Sequence, residues 1–299
     1  ATRIRCEIVS ADARQVYRGM DIGTAKPTHD ELQSVPHHCI DIRDPRASYS
    51  AADFATDARA AIDGMASNVL PVIVGGSGLY LTAALDGLST DGTGTNDTIR
   101  EEVKDELASR GRDAMYDELQ RLDPVAAERY ADRNPRRIAR ALEFIRVTGR
   151  PFSSTWDAPR DAPPYDVLRI GIGQDRILLQ RRIDERCDRM WQQGLLDETR
   201  RLLDAGVDPH AQALQTVGYA EAISVLDGRS TESEALQAMK TATRRYAKRQ
   251  MTWFRKDDRI VWISGSVEEM TDRVIDLLRD HGWWDDFVVL PCSNSGKSV

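Results

Sequence analysis

Pro71-Val-Ile-Val-Gly-Gly-Ser-Gly78 decides the fold. An apolar run that ends in a glycine turn and passes straight into an apolar helical stretch, here residues 79–88, is the strand-turn-helix corner of an α/β protein. Reading back from it, residues 50–66 carry an alanine-rich helical pattern, and Ser50 stands where a hydroxyl can cap the first turn. Further back, Glu7-Ile-Val-Ser10 and residues 38–42 (HCIDI) read as short strands, separated by the loop sequence Arg18-Gly-Met-Asp-Ile-Gly-Thr-Ala-Lys-Pro27. That order implies an α/β fold with a parallel sheet flanked by helices.

Forward of the glycine turn the texture changes at Ser89, where STDGTGTND forms a polar linker. Residues 97–148 then read as consecutive helices broken at Asp123-Pro124 and Asn134-Pro135, and residues 153–165 form a second polar, proline-rich stretch. Residues 96–164 are therefore expected to be a helical insertion in an α/β core built from residues 1–95 and 165–299. The core resumes with a strand at 167–172, long helical patterns at 176–205 and 230–256, and strands at 259–263 (RIVWI) and 287–290 (FVVL).

Bulk composition narrows the class more than the function. The chain has 299 residues, is 41% hydrophobic and 30% charged, and has no apolar run long enough to span a membrane and no signal-peptide pattern. A cytoplasmic protein is expected. Cys6, Cys39, Cys187 and Cys292 stand singly, which implies neither a disulfide framework nor a zinc site. The net charge of −7 weighs mildly against nucleic acid, but arginines crowd into residues 133–150 and 244–256, so basic faces on an acidic body are expected. His37 and His38 precede a strand with no ligand cluster around them and read as structural, and the six tryptophans read as core.

The C-terminal sequence Pro291-Cys-Ser-Asn-Ser-Gly-Lys-Ser298 follows the FVVL run. Its Gly-Lys-Ser ending matches a phosphate-binding loop of the ATP-binding type, although Pro291 occupies the position of the loop's first glycine. Such a loop precedes a helix, and Ala1 to Cys6 reads as the end of one leading into the Glu7–Ser10 run. Joining Val299 to Ala1 gives strand, loop, helix and strand in the required order. A circular permutation, with both termini inside one helix, is the expectation.

Through the run from Ser10 (SADARQVYRGMDIGTAKP), Val74-Gly-Gly-Ser-Gly-Leu-Tyr80, Arg136-Arg-Ile-Ala-Arg-Ala-Leu-Glu143, Val217-Gly-Tyr219 and Lys248-Arg-Gln-Met-Thr-Trp-Phe-Arg255, the chain resembles the tRNA dimethylallyltransferase (tRNA isopentenyltransferase) family. The resemblance covers nearly the whole chain. It implies transfer of a dimethylallyl group from its diphosphate to N6 of the adenosine 3′ to the tRNA anticodon. It further implies Asp12 as general base, with Ser77, where the family usually has threonine, donating to the leaving oxygen. Ser295, Gly296, Lys297, Ser298 and Arg249 would hold the diphosphate, with Mg²⁺ on Ser298. The tRNA would meet Asp12, Ala13, Arg14, Gln15, Arg136, Arg137, Ile138, Ala139, Arg140 and Arg255. Gln15 has an amide suited to an adenine edge, and Arg136 or Arg137 with Arg140 makes a basic stripe on one helix face.

Two other functions fit the same residues: prenylation of free adenine nucleotides, and a tRNA-binding permutant whose altered phosphate loop impairs catalysis. A phosphate-loop kinase is disfavoured, because no acid besides Asp12 is arranged for γ-phosphate transfer. A monomer is expected.

Overall fold

The computed structural model describes residues 4–89 and 96–287. Two compact units emerge: residues 1–85 with 165–299, and residues 86–164.

In the first unit β1 (Cys6–Ser10) is the centre of a three-stranded parallel sheet, paired on one side with β2 (His37–His38) and on the other with β3 (Leu70–Val74). β4 (Ile170–Ile172) and β5 (Val261–Ile263) form a second parallel pair. Between strands lie α1 (His29–Ser34), α2 (Ala51–Asp63) and α3 (Gly78–Leu85). As expected, Ser50 caps α2, in a reciprocal box with Asp53. α7 (Arg176–Gln192), α8 (Leu195–Asp204), α9 (Tyr219–Leu226) and α10 (Glu232–Phe254) follow, then α11 (Val267–Asp280) and α12 (Trp284–Phe287). One core gathers Val9, Tyr17, Met20, Phe54, Leu195 and Tyr219, all fully buried. Each such side chain contributes about 1.5–3 kcal/mol on leaving water.

The second unit contains α4 (Asp97–Leu122), α5 (Pro124–Arg129) and α6 (Pro135–Thr148). The Asp-Pro and Asn-Pro breaks become helix starts, with Asp123 and Asn134 accepting from the first-turn amides and proline at the first position. Its own core packs Met115, Leu119, Ile138 and Leu142. Arg146 binds Glu106 through two bonds of 2.8 and 2.9 Å and Glu118 at 2.8 Å.

Several expectations are corrected. The strand expected at 38–42 ends at His38, because Cys39 and Asp41 take φ of 62° and 56°, which breaks a ladder. Residues 4–6 do not end a helix: the Arg5 carbonyl accepts from Leu70 N, and Cys6 opens β1. Phe287 closes α12 instead of opening a strand, and Arg5 N donates to its carbonyl at 2.8 Å. The pattern at 176–205 is two helices, divided at Gly194 with φ of 99°. The rest of the FVVL run, the Pro291–Ser298 motif and the proposed terminal junction lie outside the described residues. Among the described residues no helix is long and apolar enough to cross a membrane.

Candidate active site

Asp12 and Ser77 meet because β1 and β3 are parallel neighbours in register, so their C-terminal exits open side by side. Ser10 pairs with Val74, and Ala11 N donates to the Val74 carbonyl at 2.7 Å. The chain then leaves both strands together. Ala13 N donates to Ser77 Oγ at 3.2 Å, and Ser77 N to the Ala11 carbonyl at 3.4 Å. The carboxyl edge of a parallel sheet is where such folds place ligands.

The glycines of the turn make this approach possible. A Cβ on Gly75 would fall onto the Ala11 carbonyl, one on Gly76 onto the Gln250 amide, and one on Gly78 into the Trp253 indole. Gln250 Nε2 donates to the Gly76 carbonyl at 3.0 Å. The turn is thus held between β1 and α10.

Asp12 is anchored through one oxygen only. Its Oδ1 accepts from Arg14 N at 2.8 Å and from Gln15 N at 3.3 Å, while Oδ2 has no hydrogen-bond partner among the described residues. Ser77 Oγ accepts from Ala13 N, which leaves its own proton to donate. The pair therefore presents one proton acceptor and one proton donor at neighbouring strand exits.

Gln15 faces inward. Its Nε2 donates to the carbonyls of Thr24 (3.3 Å) and Ala25 (3.2 Å), and its Oε1 accepts from Ser10 Oγ at 2.8 Å. Both amide protons are spent inside the chain, so the side chain has at most a lone pair to offer an adenine. Arg14 Nη1 donates to the Gln212 carbonyl at 2.8 Å, and Ala13 packs partly into the core. Arg249 is exposed and lies 5.6 Å over the Tyr246 ring; Arg255 is exposed at the end of α10.

Tyr246, Arg249, Gln250 and Trp253 fall at helical spacing on α10, and sequence reasoning missed Gln250 and the stripe itself. The signal was the spacing. Trp253 (48% exposed) and Trp262 (39% exposed) also correct the expectation that the tryptophans are core. Val74 and Leu79, flanking the glycine turn, are exposed as well. Apolar surface thus lies beside the polar pair. His37 and His38 are structural, bonded to the Val35 carbonyl and Glu7.

In the helical unit Arg136 is exposed and makes no ion pair among the described residues. Arg137 lies 5.8 Å from the Tyr130 ring centre and 3.6 Å from Asp132, and Arg140 pairs with Glu143 at 3.2 Å. Ile138 is a correction: it is fully buried, so its side chain offers tRNA no surface. Ala139 packs against the same core.

A carboxylate and a hydroxyl at neighbouring exits of a parallel sheet, beside an apolar surface, form the candidate site of an α/β protein. The chain belongs to the IPP transferase family, whose profile matches residues 15–257. It is similar to the tRNA dimethylallyltransferase of Geobacter metallireducens, 46% identical over 265 residues that cover 88% of this chain and 85% of that one. The tRNA dimethylallyltransferase of Thermomicrobium roseum is 43% identical over 298 residues, covering 98% and 90%. Among solved structures, the full-length tRNA isopentenylpyrophosphate transferase of Bacillus halodurans aligns with a TM-score of 0.65 at 37% identity, covering 94% and 89%. A eukaryotic dimethylallyltransferase acting on tRNA aligns with a TM-score of 0.76 at 25% identity, covering 92% and 73%.

Proposed function

We propose that this protein transfers a dimethylallyl group from dimethylallyl diphosphate to the exocyclic N6 of the adenosine 3′ to the tRNA anticodon, releasing diphosphate. The relatives' shared activity supports the reading. The observation that carries it is Asp12, held through Oδ1 with Oδ2 open, on a strand exit that Ala13 ties to the Ser77 hydroxyl of the neighbouring exit.

The reaction needs both groups. As the adenine nitrogen attacks the allylic carbon, the carbon–oxygen bond breaks and its electron pair leaves with the diphosphate. Asp12 Oδ2 takes the proton that the amine sheds, relieving positive charge as it develops. Ser77 donates to the departing oxygen, and Arg249 adds positive charge to the diphosphate. Val74, Leu79 and Trp253 give the five-carbon chain an apolar surface to lie against. The target base leaves the anticodon-loop stack to reach Asp12, in the cytoplasm where tRNA is found.

Ser295, Gly296, Lys297 and Ser298 are assigned to the diphosphate on the Gly-Lys-Ser ending of their loop sequence. Among the described residues no group of three or more His, Cys, Asp or Glu could hold a metal. Mg²⁺ binds mainly through substrate phosphates and water and needs few protein ligands. Ser298 would be its protein ligand, and the ion would neutralise charge on the leaving diphosphate. In the helical unit, Arg136, Arg137 and Arg140 are assigned to tRNA phosphates.

Labelled dimethylallyl diphosphate offered with Mg²⁺ to unmodified tRNA or to AMP tests the proposal. Label is expected in tRNA alone, and the Asp12→Asn variant is expected to lose about 10²–10⁴-fold in rate. Label in AMP alone overturns tRNA as substrate, and an unchanged variant overturns Asp12 as base.

A further inference from the structure

A buried carboxylate far from the reacting groups has more hydrogen bonds than packing alone calls for. Glu198, on α8, is 2% exposed. Its Oε2 accepts from Asp21 N at 3.0 Å and Ile22 N at 2.9 Å; its Oε1 accepts from Gly23 N at 3.1 Å and from the Tyr219 hydroxyl at 2.6 Å. Three successive backbone amides and a phenol thus hold one carboxylate. Charge-assisted bonds of this kind are about twice as strong as neutral ones. Gly23 lies flat against the Tyr219 ring, where any Cβ would collide with it.

This cradle shapes the loop between Met20 and Lys26. Thr24 Oγ1 donates to the Met20 carbonyl at 2.6 Å, and the buried Lys26 ammonium donates to the Tyr17 carbonyl at 2.9 Å and to Asp21 at 2.6 Å. The loop's product is a pair of carbonyls, Thr24 and Ala25, aimed at the Gln15 amide. Ala25 takes a φ of 48°, a backbone state that an alanine keeps only when its surroundings impose it. Gln15 in turn gives its backbone amide to Asp12 Oδ1.

We infer that Glu198, with Tyr219, is a positioning residue for Asp12, acting through the 21–25 loop and the Gln15 amide. The relay runs from Glu198 to the Asp21, Ile22 and Gly23 amides, from the Thr24 and Ala25 carbonyls to Gln15, and from Gln15 N to Asp12. Its hydrogen bonds measure 2.6 to 3.3 Å, and covalent backbone joins residues 21–23 to Thr24 and Ala25. It also gives Gln15 a purpose other than reading a base: its side chain transmits the shape of the loop. The inference rests on the transfer reading for its effect on rate, but not for its effect on structure.

The Glu198→Gln variant tests it. One carboxylate oxygen becomes an NH₂ that faces donors. The variant is expected to lose at least about tenfold in kcat with KM for tRNA within about twofold. In a Gln15→Ala background the same change is expected to add less than about twofold, because both act on one relay. An unchanged kcat, or losses that multiply, would overturn the relay. Independently of activity, the Arg14 and Gln15 amide resonances are expected to shift and exchange faster in the variant; unmoved resonances would also overturn it. Absence of prenyl transfer by the wild type refutes the transfer reading and leaves the amide resonances to decide this one. Should Glu198→Gln fail to fold, Tyr219→Phe removes one donor and keeps the ring. A two- to fivefold loss in kcat, about what one hydrogen bond supplies, is then expected with the same resonances moved, and no change in either overturns the inference.

Discussion

The Ala13 amide and the Ser77 hydroxyl, 64 positions apart in the chain, are joined by a 3.2 Å hydrogen bond that ties the exits of two parallel strands. Ser77 therefore has two tasks: it accepts from the turn that carries Asp12, and it has a proton left to give. Ser77→Ala is expected to lose about 10–10³-fold in kcat, in line with removal of one donor to a developing anion. Ser77→Thr keeps both functions and is expected to stay within about tenfold of wild type, measured by single-turnover transfer. Equal losses in the two variants would show that the hydroxyl is not the operative group.

The glycine turn separates two kinds of crowding. At Gly75 a methyl meets the backbone of Ala11, and at Gly76 it meets the end of the flexible Gln250 side chain. Gly75→Ala is expected to cost about 1–3 kcal/mol, as overpacking does, and Gly76→Ala less. Urea unfolding midpoints of the two variants check the order. Truncating Gln250 to Ala should relieve Gly76→Ala and leave Gly75→Ala unrelieved.

In the helical unit, Arg146 and Arg110 hold the Glu106 carboxyl down to about 2 from its ordinary 4.5. A carboxyl with a depressed folded pKa contributes stability that is complete above its unfolded value and is lost as pH falls toward the folded one. The difference in urea midpoint between wild type and Glu106→Gln is therefore expected to be full above about pH 4.5 and to close by about pH 2. A difference independent of pH would show that the ion pairs contribute nothing.

Arg136 and Ile138 are near neighbours on α6 with opposite expectations. Arg136→Ala should weaken tRNA binding and reduce the slope of log affinity against log salt by about one. Ile138→Ala should cost about 2–5 kcal/mol of stability, as deletion of a buried aliphatic side chain does, with the salt slope intact. Filter binding across a salt series and thermal melts distinguish the two.

Much of the frame was legible because its signals are local. The apolar runs of β1 and β3, the Gly-Gly-Ser-Gly turn, the Ser50 cap and the Asp-Pro and Asn-Pro helix starts all depend on neighbours in sequence. What escaped depends on contacts between distant segments or on register. Helices α1, α9 and α11 were passed over, although Thr28 with Glu31 and Ser266 with Glu269 form capping boxes that the sequence spells out. Asp12 and Ser77 could be picked out through the family resemblance, yet nothing local says that Asp12 keeps Oδ2 open while Gln15 turns inward. Gln250 reaches the site from 174 residues away. Ile138 shares its motif with three arginines, and only the rotation of α6 tells that it faces the core.

Glu198 bonds to Asp21 across 177 positions. On a ribosome adding about 5–20 residues per second, roughly 10–35 s separate the synthesis of the 21–25 loop from that of the carboxylate that shapes it. For about the last two-thirds of that interval, once Ser77 is made, the nascent chain has Asp12 and Ser77 but not the support that sets the loop behind them. The half-made protein has its reacting groups before it has the means to aim them, so competence arrives late in synthesis and all at once.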